Sequence, residues 1–147
     1  MKFYIASKLE NHGQVKTLAG LLKGFGFEHT YDWTVHGFVK ETNIETIKAV
    51  GQKEFEGVKN ADVVIVLTPE GRGTHVELGM ALALGKRVCI CCGDDKYFRC
   101  DDNTSAFYWL ESVEHFVGST EELAEKLRSD GCHCERSEAI QKKSWDE

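Results

Sequence analysis

Basic charge, long apolar runs and paired metal-type cysteines are all scarce or missing in this sequence, and each lack narrows what the chain can be. Eighteen lysines and arginines stand against 24 aspartates and glutamates, a formal net charge of −6. That balance gives no electrostatic footprint for a nucleic-acid polymer or an anionic membrane as partner. The N-terminal MKFYIASKLEN is too poor in apolar residues for a signal peptide. No segment approaches the roughly 18 apolar residues of a membrane span, so a cytoplasmic location is expected. There are six cysteines, yet no C-x-x-C pair has a second pair at zinc-ribbon distance. Cys89, Cys91 and Cys92 lie in the apolar run RVCICC, Cys100 in a polar loop, and Cys132 and Cys134 near the C-terminus. Reduced, structural thiols and no metal site are expected.

What is present is an alternation. The 147 residues, 41% hydrophobic and 29% charged, suit one soluble domain with a core of its own. Apolar strand-like runs at 2–7, 27–33, 62–68, 87–92 and 113–118 are separated by segments of helical period. Val15, Leu18, Leu21, Leu22 and Phe25 predict a helix over 15–26. A second is expected over 43–59 with Thr42 as N-cap, and a third over 74–85. A short helix in SAFYWL and a last one over 119–129 follow, the latter opened by a Ser119-x-x-Glu122 capping box. Such alternation implies a flavodoxin-like or Rossmann-like α/β sandwich of three layers with a five-stranded parallel sheet. Ligands of such sheets bind at the carboxyl ends of the strands, near the switch in strand order. Residues 1–130 are expected to form the domain. The polar segment from Gly131 to the end, GCHCERSEAIQKKSWDE, reads as a poorly ordered tail.

The stretch PEGRGTHVELG, residues 69–79, follows the apolar run ADVVIVLT and carries the main candidates. Gly71 and Gly73 allow unusual backbone and close ligand approach, and unpaired N–H groups at a helix start favour anions. Arg72 is either a phosphate or carboxylate contact or a solvated loop residue. Thr74-x-x-Glu77 fits a capping box, with Glu77 in the first helical turn. The same position suits a nucleophile, because the helix dipole would keep the carboxylate ionised. His75 is either an orienting group or a polar first-turn residue. Glu54 falls on the inward stripe of the second helix with Ile44, Ile47, Val50, Gly51 and Val58. A carboxylate there needs a partner or a cleft, unless it reaches solvent from the stripe's edge. Tyr4, with Ser7 and Lys8 beyond it, lies toward the end of the first strand. Asp32 and Trp33 lie at the end of the second, where the indole either stacks on a planar base or packs in the core.

Together these residues resemble the nucleoside 2-deoxyribosyltransferase family, including its relatives that hydrolyse nucleoside 5′-monophosphates. The similarity covers residues 2 to 117 and is most specific in NADVVIVL…GTHVELGMALALGK. It implies that Glu77 is the nucleophile, Tyr4 the residue that positions it, and Glu54 the helix-borne acid, where the family usually has Asp. The family's transferases have a base-contacting aspartate where this chain has Gly71, and Ser105 in NTSAF matches a serine given to a neighbouring subunit's phosphate site. Both points favour a hydrolase or a divergent transferase. The loop is also similar to the P-G-G-x-G-T-x-x-E motif of the cytokinin-activating phosphoribohydrolases, which break the same kind of bond.

The resemblance implies N-glycosidic cleavage of a nucleoside or nucleoside 5′-monophosphate. Asp32 and Trp33 would line the base side, and Arg72, Gly73, Thr74 and Ser105 the 5′ side. No metal or organic cofactor is called for, and a homodimer or larger homo-oligomer is implied. A nucleotide-sensing module of the same fold, without turnover, is the alternative.

Overall fold

The computed structural model of the chain describes residues 1–37, 39–40 and 42–131. The strands β1 (Lys2–Ala6), β2 (Glu28–His29), β3 (Val63–Leu67), β4 (Arg87–Cys92) and β5 (Val113–Val117) form one parallel sheet in the order β2-β1-β3-β4-β5. Among the described residues the helices are α1 (His12–Gly24), α2 (Ile44–Asn60), α3 (Arg72–Ala83) and α4 (residues 120–131). This is the flavodoxin-like α/β sandwich the alternation implies. The chain winds leftward from β1 to β2 and rightward from β3 on. Right-handed crossovers therefore put α2 and α3 on one face and α1 on the other. There α4 joins α1, with Arg128 4.9 Å over the ring of Phe25.

The central strands read as apolar runs because both faces are covered. Every residue of β3 is buried, in register with Tyr4↔Val64 on one side and Val64↔Val88 on the other. Burial pushes the Cys89 thiol up to about 11 and the Cys91 thiol up to about 12, so both pack as small apolar groups. At the amino end of the sheet, Arg87 forks onto Glu114 at 2.7 and 2.9 Å and reaches Asp130 at 2.7 Å, tying β4 to β5 and α4. The Ser119 capping box forms as expected, Ser119 Oγ accepting from Glu122 N at 3.1 Å.

Several boundaries differ from expectation. β2 is two residues long, not seven, because the chain turns away at Thr30 and closes a 3-10 turn at Trp33–Val35. Trp33 is buried, and its Nε1 donates a 2.7 Å hydrogen bond to the carbonyl of Ile5. The N-cap of α2 is Asn43, whose side chain accepts from Thr46 N at 2.8 Å, while Thr42 donates instead to the Val39 carbonyl. The inward stripe of α2 holds only at its end. Gly57 and Val58 are buried, whereas Ile44 is 74% exposed and Ile47 36%. Length is the reason: 17 helical residues run about 26 Å, against about 17 Å for a five-residue strand. The first turns of α2 overhang the carboxyl end of the sheet. The tail expected from residue 131 lies outside the described residues, apart from Gly131 in α4. No helix among the described residues is long and apolar enough to cross a membrane.

Candidate active site

Tyr4 sits mid-strand in β1 and faces the layer that α2 and α3 cover. Its hydroxyl donates a 2.9 Å hydrogen bond to Oε1 of Glu77. Tyr4 is fully buried and Glu77 keeps 8% of its surface. Gly57 of α2 makes room for the ring. A Cβ at that position would stand 2.9 Å from Cδ2 and Cε2 of Tyr4 and from Cβ of Tyr31. Burial, then the charge of Glu77, holds the Tyr4 phenol far above its ordinary range, so it stays a donor.

The helix start lies earlier than the sequence suggests. Gly71 is the N-cap and Arg72 the first residue of α3, so Glu77 falls in the second turn. Thr74, buried in the first turn, accepts from Gly71 N at 3.1 Å and leaves Glu77 out of the cap. The expected help from the helix dipole is therefore lost, since that effect fades beyond the first turn. Burial, then the charge of nearby Glu54, push the Glu77 carboxyl up to about 8, with the Tyr4 hydrogen bond pulling against them.

Glu54 is half-buried and close enough to act on both Tyr4 and Glu77. Burial raises its carboxyl, while His36 and Lys40 of the β2–α2 loop lower it. His36 stacks on Tyr31 with ring centroids 5.8 Å apart, and its Nε2 is buried without a partner. The two carboxylates repel when both are charged, so near neutral pH they titrate as a pair that retains a proton. Paired carboxylates with separated tasks are what acid- and nucleophile-assisted cleavage at an acetal-like carbon requires.

Other expected residues are spread around this centre. Ser7 donates to the Leu67 carbonyl at 2.8 Å and accepts from Asn11 at 2.9 Å, which fastens the loop after β1 to that after β3. Lys8 continues the seam, its backbone N–H reaching the Pro69 carbonyl at 3.3 Å. A Cβ on Gly71 would lie 3.3 Å from Lys8 Cγ, while one on Gly73 would meet no protein atom within 4 Å. Neither loop glycine has positive φ, which corrects the expectation of unusual backbone there. Asp32 accepts from the N–H and hydroxyl of Thr34, capping the 3-10 turn. Trp33 has its ring in the core and its N–H engaged, so it is no open platform for a base. Arg72 is exposed at the helix start. Ser105 caps the 3-10 turn Ala106–Trp109, whose Tyr108 reaches His75 at 2.8 Å.

His36, Lys40, Tyr31, Gly57 and Tyr108 were missed by sequence reasoning. They lie in loops or on a helix where no period marks them, and only Lys40, a cation shortly before an inward Glu54, left a readable hint. Among the described residues no group of three or more His, Cys, Asp or Glu side chains is arranged to hold a metal ion. A cavity of about 430 Å³ opens on the α1 and α4 face, beside Thr17, Thr68 and Ser119. It includes none of Tyr4, Glu54 and Glu77, and the titratable chemistry lies on the other face. There a cleft of about 370 Å³ borders Tyr31 and Gly57, and it too includes none of Tyr4, Glu54 and Glu77.

The parallel sheet, with Tyr4, Glu54 and Glu77 gathered beside its switch point, defines an α/β fold with a candidate active site between sheet and helices. The chain belongs to the nucleoside 2-deoxyribosyltransferase family, whose model matches residues 3–141. No curated protein matches it in sequence. Among solved structures it is similar to the CMP N-glycosidase BcmB of Clostridium botulinum, 18% identical, with a TM-score of 0.58 over 86% of this chain and 98% of that one. It is also similar to a 2-deoxyribosyltransferase from the psychrotolerant bacterium Bacillus psychrosaccharolyticus, 19% identical, with a TM-score of 0.58 over 84% of this chain and 90% of that one. Both likenesses show the fold.

Proposed function

We propose that the chain cleaves the N-glycosidic bond of a nucleoside or nucleoside 5′-monophosphate, with Glu77 as nucleophile. The observation that carries this reading is the buried Tyr4–Glu77 hydrogen bond beside a second carboxyl, Glu54. At rest burial keeps the pair's proton on Glu77, while solvent and Lys40 favour the charged form of Glu54. For the attack, substrate binding must shift that proton to Glu54 and leave Glu77 ionised. Glu77 attacks the anomeric carbon as the bond to the base breaks through an oxocarbenium-like transition state. Glu54 gives its proton to the departing base and then takes one from the incoming acceptor. Water as acceptor makes a hydrolase, and a second base makes a transferase. Tyr4 holds the attacking oxygen in line. Arg72, Gly73, Thr74 and Ser105 are assigned to the 5′ side, and Asp32 to the base side.

The test is release of free base from a panel of nucleosides and 5′-monophosphates, with intact-mass detection of a glycosyl adduct on Glu77. Binding by calorimetry without base release from any of them would make the chain a sensor instead. The shared proton also predicts a pH profile: kcat/KM falls as pH rises through about 8, where the pair gives up its last proton. A flat profile from pH 6 to 10 would sink the pair assignment.

We also place a second copy of the chain over the overhanging part of α2. Ile44, Ile47 and Phe55 repeat along one stripe of that helix at 74%, 36% and 37% exposure, with Val76 of α3 at 57%. Sedimentation should give a dimer or larger, and Ile47→Glu with Phe55→Glu should give monomer. A monomeric wild type would remove this assignment.

A further inference from the structure

Both ring nitrogens of His75 are engaged. Nδ1 lies 3.0 Å from the Gly71 carbonyl oxygen and Nε2 2.8 Å from the Tyr108 hydroxyl, with the two rings 7° from parallel. A carbonyl oxygen only accepts, so Nδ1 carries the hydrogen. In the neutral imidazole Nε2 is then an acceptor, and the Tyr108 hydroxyl donates to it. Glu70 is the rival acceptor. Burial first, and then Glu70, hold the Tyr108 phenol above its ordinary range. Yet Oε2 of Glu70 is buried with no partner, and its Oε1 stays 4.0 Å from Nε2. Tyr108 has one proton and two candidate acceptors, and the bare carboxylate oxygen is what remains when His75 takes it.

We infer that Tyr108 is a positioning residue: by donating to His75 it clamps the imidazole onto the Gly71 carbonyl, and so sets the glycine loop relative to the turn that carries Ser105. Tyr108 is 1% exposed, so little solvent competes for its hydroxyl. The Gly71 carbonyl also accepts the His75 backbone N–H at 3.2 Å. Ring and backbone of one residue therefore hold the N-cap from two directions, with Arg72 and Gly73 between. His75 itself, a candidate orienting group in the sequence, has no free nitrogen left to offer a substrate. The inference deepens the proposed function, because it rests on the loop facing the substrate.

Two measurements test it. Long-range proton–nitrogen spectra of His75 need no substrate. In wild type they should show the Nδ1–H tautomer with Nε2 as a hydrogen-bonded acceptor, and Tyr108→Phe should move Nε2 to a free-acceptor position. A proton found on Nε2 with Nδ1 bare would overturn the clamp. In base-release assays Tyr108→Phe should raise KM about fivefold, the scale of one hydrogen bond, with kcat within about twofold. His75→Phe should do the same, and the double variant should be no worse than either single one. A product of the two single effects, or a loss in kcat alone, would refute a shared role. If no substrate turns over, the spectra still decide the clamp, so its failure and that of the glycosidase reading are separable.

Discussion

Glu77→Gln should abolish base release while making the protein more stable in alkali. Loss of a nucleophile acts on the scale of ~10³-fold or more in rate, and glutamine keeps the volume and still accepts from Tyr4. Stability moves the other way. The folded chain holds the Glu77 proton up to about 8, whereas an exposed glutamate releases it near the ordinary 4.5. Between those values the folded state binds more protons than the unfolded one, so this group's contribution is fully present below 4.5 and is lost as pH rises through 8. The span corresponds to at most about 5 kcal/mol, reduced by relaxation and water entry. Glutamine carries no such penalty. Melting curves should coincide near pH 4.5 and separate by pH 9 in favour of the variant. A variant no more stable than wild type at pH 9 would mean that Glu77 ionises in the fold without cost, and equal base release by the two would end its assignment as nucleophile.

Gly57→Ala should cost both stability and activity, against the usual effect of that change in a helix. Inside a helix, alanine is ordinarily better than glycine by about 1 kcal/mol. Here the new methyl would sit 2.9 Å from two ring carbons of Tyr4 and from Cβ of Tyr31. Those atoms belong to a buried ring and a side-chain root, not to flexible ends, so something must move. Overpacking of this kind costs about 1–3 kcal/mol, and the ring most exposed to the push is the one that holds Glu77. A loss of tenfold or more in base release is expected, because misplacing a reacting group by an ångström has effects of that order. Gly51→Ala on the same helix is the control. Its Cβ would meet nothing within 4 Å, so it should raise the melting temperature and leave activity alone. If the two variants behave alike, the close fit of Gly57 to Tyr4 has no consequence.

Periodicity and strand-like runs carried most of the architecture, because a sheet buried on both faces writes itself as continuous apolar sequence. The five strands, the helices between them and the Ser119 capping box were all legible in this way. Tertiary effects hid the rest. FEHTYDW has the composition of a full strand, and only the turn at Thr30 shortens it. The inward stripe of α2 was read correctly as a pattern, but its first turns have no sheet beneath them. Thr74-x-x-Glu77 matched a capping box three residues too late, since a glycine N-cap gives no side-chain signal. That shift changed the physics of Glu77 from a carboxylate helped by a helix end to one opposed by burial. The company of Tyr4 and Glu54 was legible through resemblance, and the structure brings those side chains together. His36 and Tyr108 were not legible, because a loop histidine and a tyrosine in a short turn carry no period.

Among the described residues the sheet has no further strand beyond His29 on that flank, so the outer side of β1 would stand open to any extended segment. Thr30 N closes the Phe3 carbonyl at 3.0 Å, and the Trp33 indole closes that of Ile5, the next one facing outward. The Trp33 side chain thus does a strand's work at the border, and it denies a second chain the acceptor on which edge-to-edge aggregation would start.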